Sequence, residues 1–555
     1  MQHYPIIYIR GYAGATVGVD AQVDDPFYGF NEGATHIRVN GDGHPRFYQF
    51  EGPMLRLLID EDYQLLVRGD QSAYLQRAQD GTVASNSIWV YRFYDRAATT
   101  FATPPRQNIL RKILSTIRRQ VTVDGFDIED AALGLYDLIT LVRLKTNADK
   151  VILVAHSMGG LVARCMMQKI CRERETRKHT GRTGPRIEAR NLVDKFFTYG
   201  TPHGGIVFDA GPINWFEDAV GPAGSDVFAP AKMYGYLTPG VKFGAKPKKS
   251  FDPKDLADSL DTDNVFCLIG TNAKDYGIAR SIVGPRSDGL VRIDNAYIRK
   301  AHRAFVYRSH SGRYGEVNSE EGYQSLRRFL FGRWGIRIGL EGLPRVPVDN
   351  GTGDRVAWQA DMRLTIRGLP VMLTEQRADH YCPIQLDQEM TKLQDSPDHP
   401  VPLVGTFLMD PVALARENDT QVAHGGLARY SLTLRVAKLV EKDHLFDFRN
   451  HLEQVFDWAD TLIVDVKSDA TGNGLAAYAA WSSEVGGELD RFDPIARGLD
   501  NAARRDRQAS TPRDGAGTWK FTIPLPDKGR QLPIFGETAH LIVDVTDREF
   551  GPIPV

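Results

Sequence analysis

The chain predicts an α/β unit built on a mainly parallel sheet, followed by an all-β sandwich, and three observations carry that expectation. From Met1 to about Trp334, apolar runs alternate with amphipathic stretches, as repeating strand–helix–strand units do. Residues 151–160, Val-Ile-Leu-Val-Ala-His-Ser-Met-Gly-Gly, read as a strand buried on both faces that ends abruptly in a serine among small residues. Beyond about residue 336 the pattern changes to short alternating segments without crossover helices. Two units follow, 1–335 and 336–555, with a boundary near Gly335–Pro347.

In the first unit the strands are expected at Ile6–Ile9, Ile88–Phe93, Val151–Ala155, Phe196–Tyr199, Val265–Ile269 and Ala304–Tyr307. A helix over 128–145 puts Ile128, Ala131, Ala132, Leu135, Leu138, Ile139 and Val142 on one stripe, so it packs on the sheet just before the serine strand. A last helix, Tyr323–Phe331, closes the unit. Two long insertions interrupt the alternation, at about 20–85 and 206–262. The second carries Trp215, Phe216, Phe228 and Tyr236, as a lid over a site or the core of a small cap would. In the second unit strands are expected at Arg355–Ile366, Val371–Thr374, Leu403–Met409, Tyr430–Val436, Thr461–Val466, Trp519–Ile523 and His540–Val545. A helical patch at Leu445–Trp458 and a polar loop at Arg497–Gly517 break them up.

Composition narrows the function classes. With 555 residues, 42% hydrophobic, and 68 basic against 70 acidic residues, the net charge of −2 offers no global field for nucleic acid or an anionic membrane. The run Arg172–Arg190 is basic, but Glu173, Glu175 and Glu188 dilute it into a solvated helix end. No stretch of about 18 apolar residues could span a bilayer, and the start from Met1 into Ile6–Ile9 lacks the pattern of a secretory signal. The expected location is the cytoplasm as synthesised, with export by a route other than Sec left open. Cys165, Cys171, Cys267 and Cys382 show no framework spacing and read as reduced thiols. No His/Cys ligand spacing marks a metal, no organic cofactor is implied, and Asp387 and Asp469 are only a weak hint of calcium in the β unit.

The serine of the opening motif, Ser157, sits where a strand turns into a helix marked by Leu161, Val162, Cys165, Met166 and Ile170. Such a turn exposes the hydroxyl and aims the next backbone N–H, here that of Met158, at a developing oxyanion. Ala155 and Gly159 keep strand and helix close. A serine hydroxyl is a poor nucleophile near neutral pH, so it needs a histidine base and an acid to orient that base. Asp288, in Ser-Asp-Gly-Leu-Val, and His310, in Arg-Ser-His-Ser-Gly, follow in that chain order after successive strands. His302 precedes its strand and would lie at the wrong end of the sheet; Asp263 and Asp294 are the weaker acid candidates.

These motifs resemble the α/β-hydrolase lipases, particularly the bacterial true lipases and the lecithin–cholesterol acyltransferase and GPI-inositol-deacylase relatives. The resemblance spans about residues 5–332, rests also on Gly-Thr-Pro-His-Gly-Gly at 200–205, and does not reach the C-terminal unit. It implies an α/β-hydrolase fold with cap insertions and a Ser157–His310–Asp288 triad. It also implies an oxyanion loop at Arg10-Gly11-Tyr12-Ala13-Gly14, with arginine where the family has histidine. Backbone N–H groups of Tyr12 and Met158 would then each contribute about 3–4 kcal/mol to the transition state. The family's structural calcium is not carried over, since Ser311 and Gly312 follow the histidine. His156 and His203 adjoin the same loops and are candidates to touch substrate or to orient the loops. The implied activity is hydrolysis of a lipid-type acyl ester, glycerolipid or phospholipid, through an acyl-enzyme. Acyl transfer or thioester cleavage by the same triad is the nearest alternative. An exported phospholipase effector, or a lipid- or partner-binding protein working through its β unit at a membrane interface, is a third; the β unit's partner stays unknown.

Overall fold

Short aliphatic runs form the strands of the first sheet because both their faces are covered. The computed structural model describes residues 3–9, 11, 38–39, 45–46, 52–65, 71–91, 93, 128–173, 187–206, 228–242, 244–274, 283–310, 315–344, 355–386, 400–409, 428–441, 456–468, 475–485 and 518–548. Strand β1 (Ile6–Ile9) is buried throughout. The insertion after it contributes a ribbon, β2 (Arg38–Val39) and β3 (Pro45–Arg46), and helices α1 (Gly52–Asp60) and α2 (Gln71–Arg77). There follow β4 (Ile88–Tyr91), helix α3 (Ile128–Thr146), β5 (Val151–His156), helix α4 (Met158–Cys165) and β6 (Val193–Tyr199). Helix α5 (Pro230–Leu237), β7 (Val265–Gly270), β8 (His302–Val306) and helix α6 (Glu320–Phe331) complete the series.

The six long strands of this region form one sheet in the order β4-β1-β5-β6-β7-β8. β1 runs parallel to β4 and β5, β5 to β6, and β6 to β7, with Ala155 opposite Thr198 and Thr198 opposite Cys267. Parallel strands deliver all their carboxyl ends to one edge, where the following loops can meet. Helix α3 buries the expected stripe, Leu135, Ile139 and Val142 among it. Each such side chain contributes roughly 1.5–3 kcal/mol by leaving water. These are the parallel sheet and amphipathic helix that the sequence predicts, and the α/β-hydrolase expectation holds at the level of fold.

Helix α4 continues through a π-helical turn, Met166–Ile170. Two buried cations on this stretch tie the second insertion down. Arg164 donates to the carbonyls of His203 (3.0 Å) and Asp255 (2.8 Å) and to Gln168 Oε1 (2.9 Å). Lys169 donates to Glu129 (2.7 Å) and to the carbonyls of Gly235 (2.7 Å) and Val241 (2.6 Å). Phe228 and Tyr236 are buried, whereas Trp215 and Phe216 lie outside the described residues. The first insertion is tied through α1: Arg56 pairs with Glu320 (2.8 Å) and Asp60 accepts from the Tyr323 hydroxyl (2.8 Å).

Contacts divide the chain into Gln2–Arg303 with Tyr307–Tyr323, and Gln324–Val555 with Ala304–Val306. The second unit is an antiparallel β domain. It holds β9 (Trp334–Glu341), β10 (Arg355–Ile366), β11 (Met372–Gln376), β12 (Ile384–Gln385), β13 (Val401–Leu408), β14 (Ala428–Glu441), β15 (Trp458–Ser468), β16 (Leu475–Trp481), β17 (Thr518–Pro524) and β18 (His540–Asp547). One sheet runs β11-β10-β14-β15-β16, with β12 also on β10; the other runs β13-β9-β18-β17. Every second residue of β9 (Trp334, Ile336, Ile338, Leu340), β14 (Tyr430, Leu432, Leu434, Val436) and β18 (Leu541, Val543, Val545) enters one shared core. That is the period-two pattern of sheets packed face to face. β9 occupies part of the stretch 335–347 expected as a linker, because its Gly335 and Gly339 and the following Pro344 imitate a turn-rich connection. β12 and β16 are additions to the expected strands. The patch Leu445–Trp458 lies mostly outside the described residues, and its last residue, Trp458, opens β15; the loop Arg497–Gly517 lies wholly outside them.

Within the β unit, Arg429 grips Asp465 with two hydrogen bonds of 2.6 and 2.7 Å, and Asp465 is 1% exposed. Arg429→Ala strands that buried carboxylate, and the expected loss is about 3–5 kcal/mol. Urea unfolding followed by tryptophan fluorescence reads this as a lower midpoint at unchanged slope.

Candidate active site

Ser157 stands between β5 and α4 with φ 53° and ψ −128° and is 4% exposed. A non-glycine residue holds this conformation only where its surroundings overdetermine it. Here the Ser157 N–H donates to the Tyr199 carbonyl (2.9 Å), and its carbonyl accepts from the Gly160 N–H (3.1 Å) and the Thr201 hydroxyl (2.9 Å). Thr201 comes so close that a Cβ on Gly160 would run into its Oγ1. The glycine at 160 is therefore required by the loop after β6, a reason the local motif does not disclose. Met158 begins α4, whose first N–H groups have no intrahelical acceptor and carry the positive end of the helix dipole. A Cβ on Gly11 would lie 3.0 Å from the Ser157 Cβ, so the loop after β1 passes beside the serine. Tyr12 and Arg10 lie outside the described residues.

Asp288 and His310 meet in the interior. His310 Nδ1 is 2.7 Å from Asp288 Oδ2, and both residues are buried. The His310 N–H also donates to the Asp288 carbonyl (2.9 Å), so backbone as well as side chain joins the two loops. Asp288 Oδ1 accepts from the N–H groups of Leu290 (2.9 Å) and Val291 (2.7 Å), a tight turn that fixes the carboxylate. With Nδ1 turned to Asp288, the other ring nitrogen, Nε2, faces away from that carboxylate. The rival residues sit elsewhere. His302 opens β8, at the end opposite the loop of His310. Asp294 is in an exposed turn beside Arg286 (3.4 Å), and Asp263 is in the turn that precedes β7.

His156 and His203 are both fully buried. His156 Nε2 lies 3.1 Å from the His310 carbonyl, and the two rings stand 4.9 Å apart, which braces the loop of the base. His203 Nε2 lies 3.1 Å from Thr198 Oγ1, with Arg164 on its carbonyl. Burial first, and the Arg164 guanidinium second, hold the His203 imidazole well below the usual histidine range. Both positions fit loop orientation better than contact with a substrate.

One residue that no sequence motif singles out completes the cluster. Glu316 is 0% exposed, and one ligating atom each of His156, His310 and Glu316 lies within 4.8 Å of the others. Linear spacing misses this trio because residues 156 and 310 share no segment. Two of the three are already engaged, His310 with Asp288 and His156 with the His310 carbonyl.

Residues 102–218, which include the serine elbow and the loop 200–205, match the family model described as "Putative serine esterase (DUF676)". No curated protein matches the chain. Among solved structures, the product of gene lin2722 from Listeria innocua is 12% identical, covers 59% of this chain and 94% of its own, and has a TM-score of 0.24, a likeness too slight to bear on fold or chemistry. The α/β sheet, the strained serine and the family match together support a serine hydrolase.

Two outcomes follow from this geometry. Gly160→Ala forces its methyl against Thr201 and displaces the elbow, so kcat on a soluble ester falls about 100-fold while the protein stays folded by circular dichroism. His203 must remain neutral when folded, and its folded pKa lies below the unfolded value of about 6.5. Its contribution to stability is therefore complete above that value and is lost as pH falls below it. His203→Gln should flatten the decline in urea midpoint between about pH 7 and 5 relative to the parent.

Proposed function

We propose that the chain is a carboxylic ester hydrolase of lipase or phospholipase type. The observation that carries the proposal is the buried 2.7 Å His310–Asp288 bond at the sheet edge that also bears the strained Ser157. Ser157 Oγ attacks the ester carbonyl as His310 Nε2 takes its proton. The tetrahedral oxyanion forms beside the Met158 N–H, and the resemblance to the lipases implies the Tyr12 N–H as the second donor. The imidazolium, stabilised by Asp288, returns the proton to the leaving alcohol, and an acyl-Ser157 ester remains. Water activated by His310 then attacks that ester, releases the carboxylic acid and restores the serine. No metal or organic cofactor enters these steps.

The lipid character of the substrate rests on the resemblance of residues 5–332 to the lipases. Among the described residues no helix is long and apolar enough to cross a membrane.

A fluorophosphonate probe should label the parent protein and leave Ser157→Ala unlabelled. Labelling that survives the substitution removes Ser157 from the nucleophile role. The parent should also cleave p-nitrophenyl esters and release fatty acid from phospholipid or triacylglycerol dispersions. Cleavage of short soluble esters alone would make it an esterase without lipid preference, and transfer to an added alcohol in place of hydrolysis would make it an acyltransferase.

A further inference from the structure

We propose that Glu316 is a positioning residue for the Asp288–His310 pair: its carboxyl wedges between the backbones of Gly200 and Gly270 and fixes where the imidazole stands. This inference rests on the triad proposed above. Neither glycine could carry a side chain. A Cβ on Gly200, which has φ +49°, would lie 2.9 Å from His310 Nδ1, 3.0 Å from Asp288 Oδ2, and against Glu316 Oε1. A Cβ on Gly270 would lie 2.8 Å from the Asp288 Cβ and 3.3 Å from Glu316 Oε2. Two strand ends thus give up their side chains to admit a second carboxyl beside the first. The Glu316 N–H donates to the Ser309 carbonyl (2.9 Å), one residue before His310, and this bond ties the glutamate to the histidine's strand end.

Two carboxyls this close, both buried, are costly to charge together. Asp288 holds two backbone N–H groups and the imidazole. Glu316 has the Gly270 backbone amide beside it, and among the described residues neither of its oxygens completes a hydrogen bond. Burial first, and the Asp288 charge second, push its carboxyl well above the usual range. The other titratable groups around it are His156, His310 and Tyr199; burial holds the Tyr199 phenol in its neutral form. Glu316 therefore acts as a neutral carboxylic acid that fills, aligns and excludes water behind the base, and leaves the pair one negative charge rather than two.

The test compares Glu316→Gln, neutral and of nearly the same shape, with Glu316→Leu, which fills space without polar atoms. Both are assayed on p-nitrophenyl butyrate across pH, beside the parent and Ser157→Ala. Glu316→Leu should lose about tenfold or more in kcat at unchanged KM, and Glu316→Gln should recover most of that loss. The acid limb of kcat/KM should stay in place in Glu316→Gln, within about 0.3 pH unit. A charged Glu316 would behave otherwise, since its removal would strip negative charge from beside His310 and move that limb to lower pH. A shifted limb in Glu316→Gln, or full activity in Glu316→Leu, overturns the inference. If Glu316→Leu fails to fold, a Glu316→Gln variant as poor as tenfold below the parent overturns it as well. Fluorophosphonate labelling separates the two levels: labelling that survives Ser157→Ala defeats the triad itself, whereas its loss there beside a fully active Glu316→Leu defeats only the role of Glu316.

Discussion

Ser157 is held at a positive φ between a strand and a helix that are both buried, and the rest of the carboxyl edge is arranged around keeping it there. The strain is borne by three hydrogen bonds of its backbone: its N–H donates to the Tyr199 carbonyl, and its carbonyl accepts from the Gly160 N–H and the Thr201 hydroxyl. Two of these partners come from β6 and its loop, so the elbow depends on the neighbouring strand as much as on its own sequence. A parallel sheet makes this arrangement available. It places the loops after β1, β5, β6, β7 and β8 side by side, and glycines at 11, 160, 200 and 270 let the backbones close in.

The electrostatics follow the same economy of space. Buried charges in this unit are held mostly by backbone carbonyls and amides: Arg164 by His203 and Asp255, Asp288 by Leu290 and Val291, Lys169 by Gly235 and Val241 together with Glu129. Backbone partners are fixed dipoles, and they cost little reorganisation when charge changes nearby. The cations also join the helix that follows Ser157 to residues 235–255, so that helix and the described part of the second insertion share one set of bonds.

Much of this is legible in the sequence, and the exceptions have physical reasons. Ser157, Asp288 and His310 each lie in a local pattern, a strand end followed by a tight turn, and chain order restricts how they can combine. The parallel strands and helix α3 are equally readable, because burial on both faces or on one stripe leaves a clean apolar pattern. Strand β16, Leu-Ala-Ala-Tyr-Ala-Ala-Trp, hides because alanine favours helix on its own and joins a strand only through its neighbours. Thr201 and Glu316 hide for a different reason. A threonine beside a proline and a glutamate between Gly315 and Val317 read as ordinary turn residues, and charged residues in turns are normally in water. Their roles arise from contacts between segments more than forty and one hundred residues apart.

The bare α-carbon at residue 200 ties together two places that the sequence keeps apart. A glycine directly after a buried strand, or a glutamate six positions past a histidine, says little when met separately. In this chain the two depend on each other, since a Cβ at residue 200 would meet the Glu316 carboxyl and crowd the His310 ring. Gly200 and Glu316 are one packing feature written more than one hundred residues apart, and a larger residue at 200 would leave no room for that carboxyl.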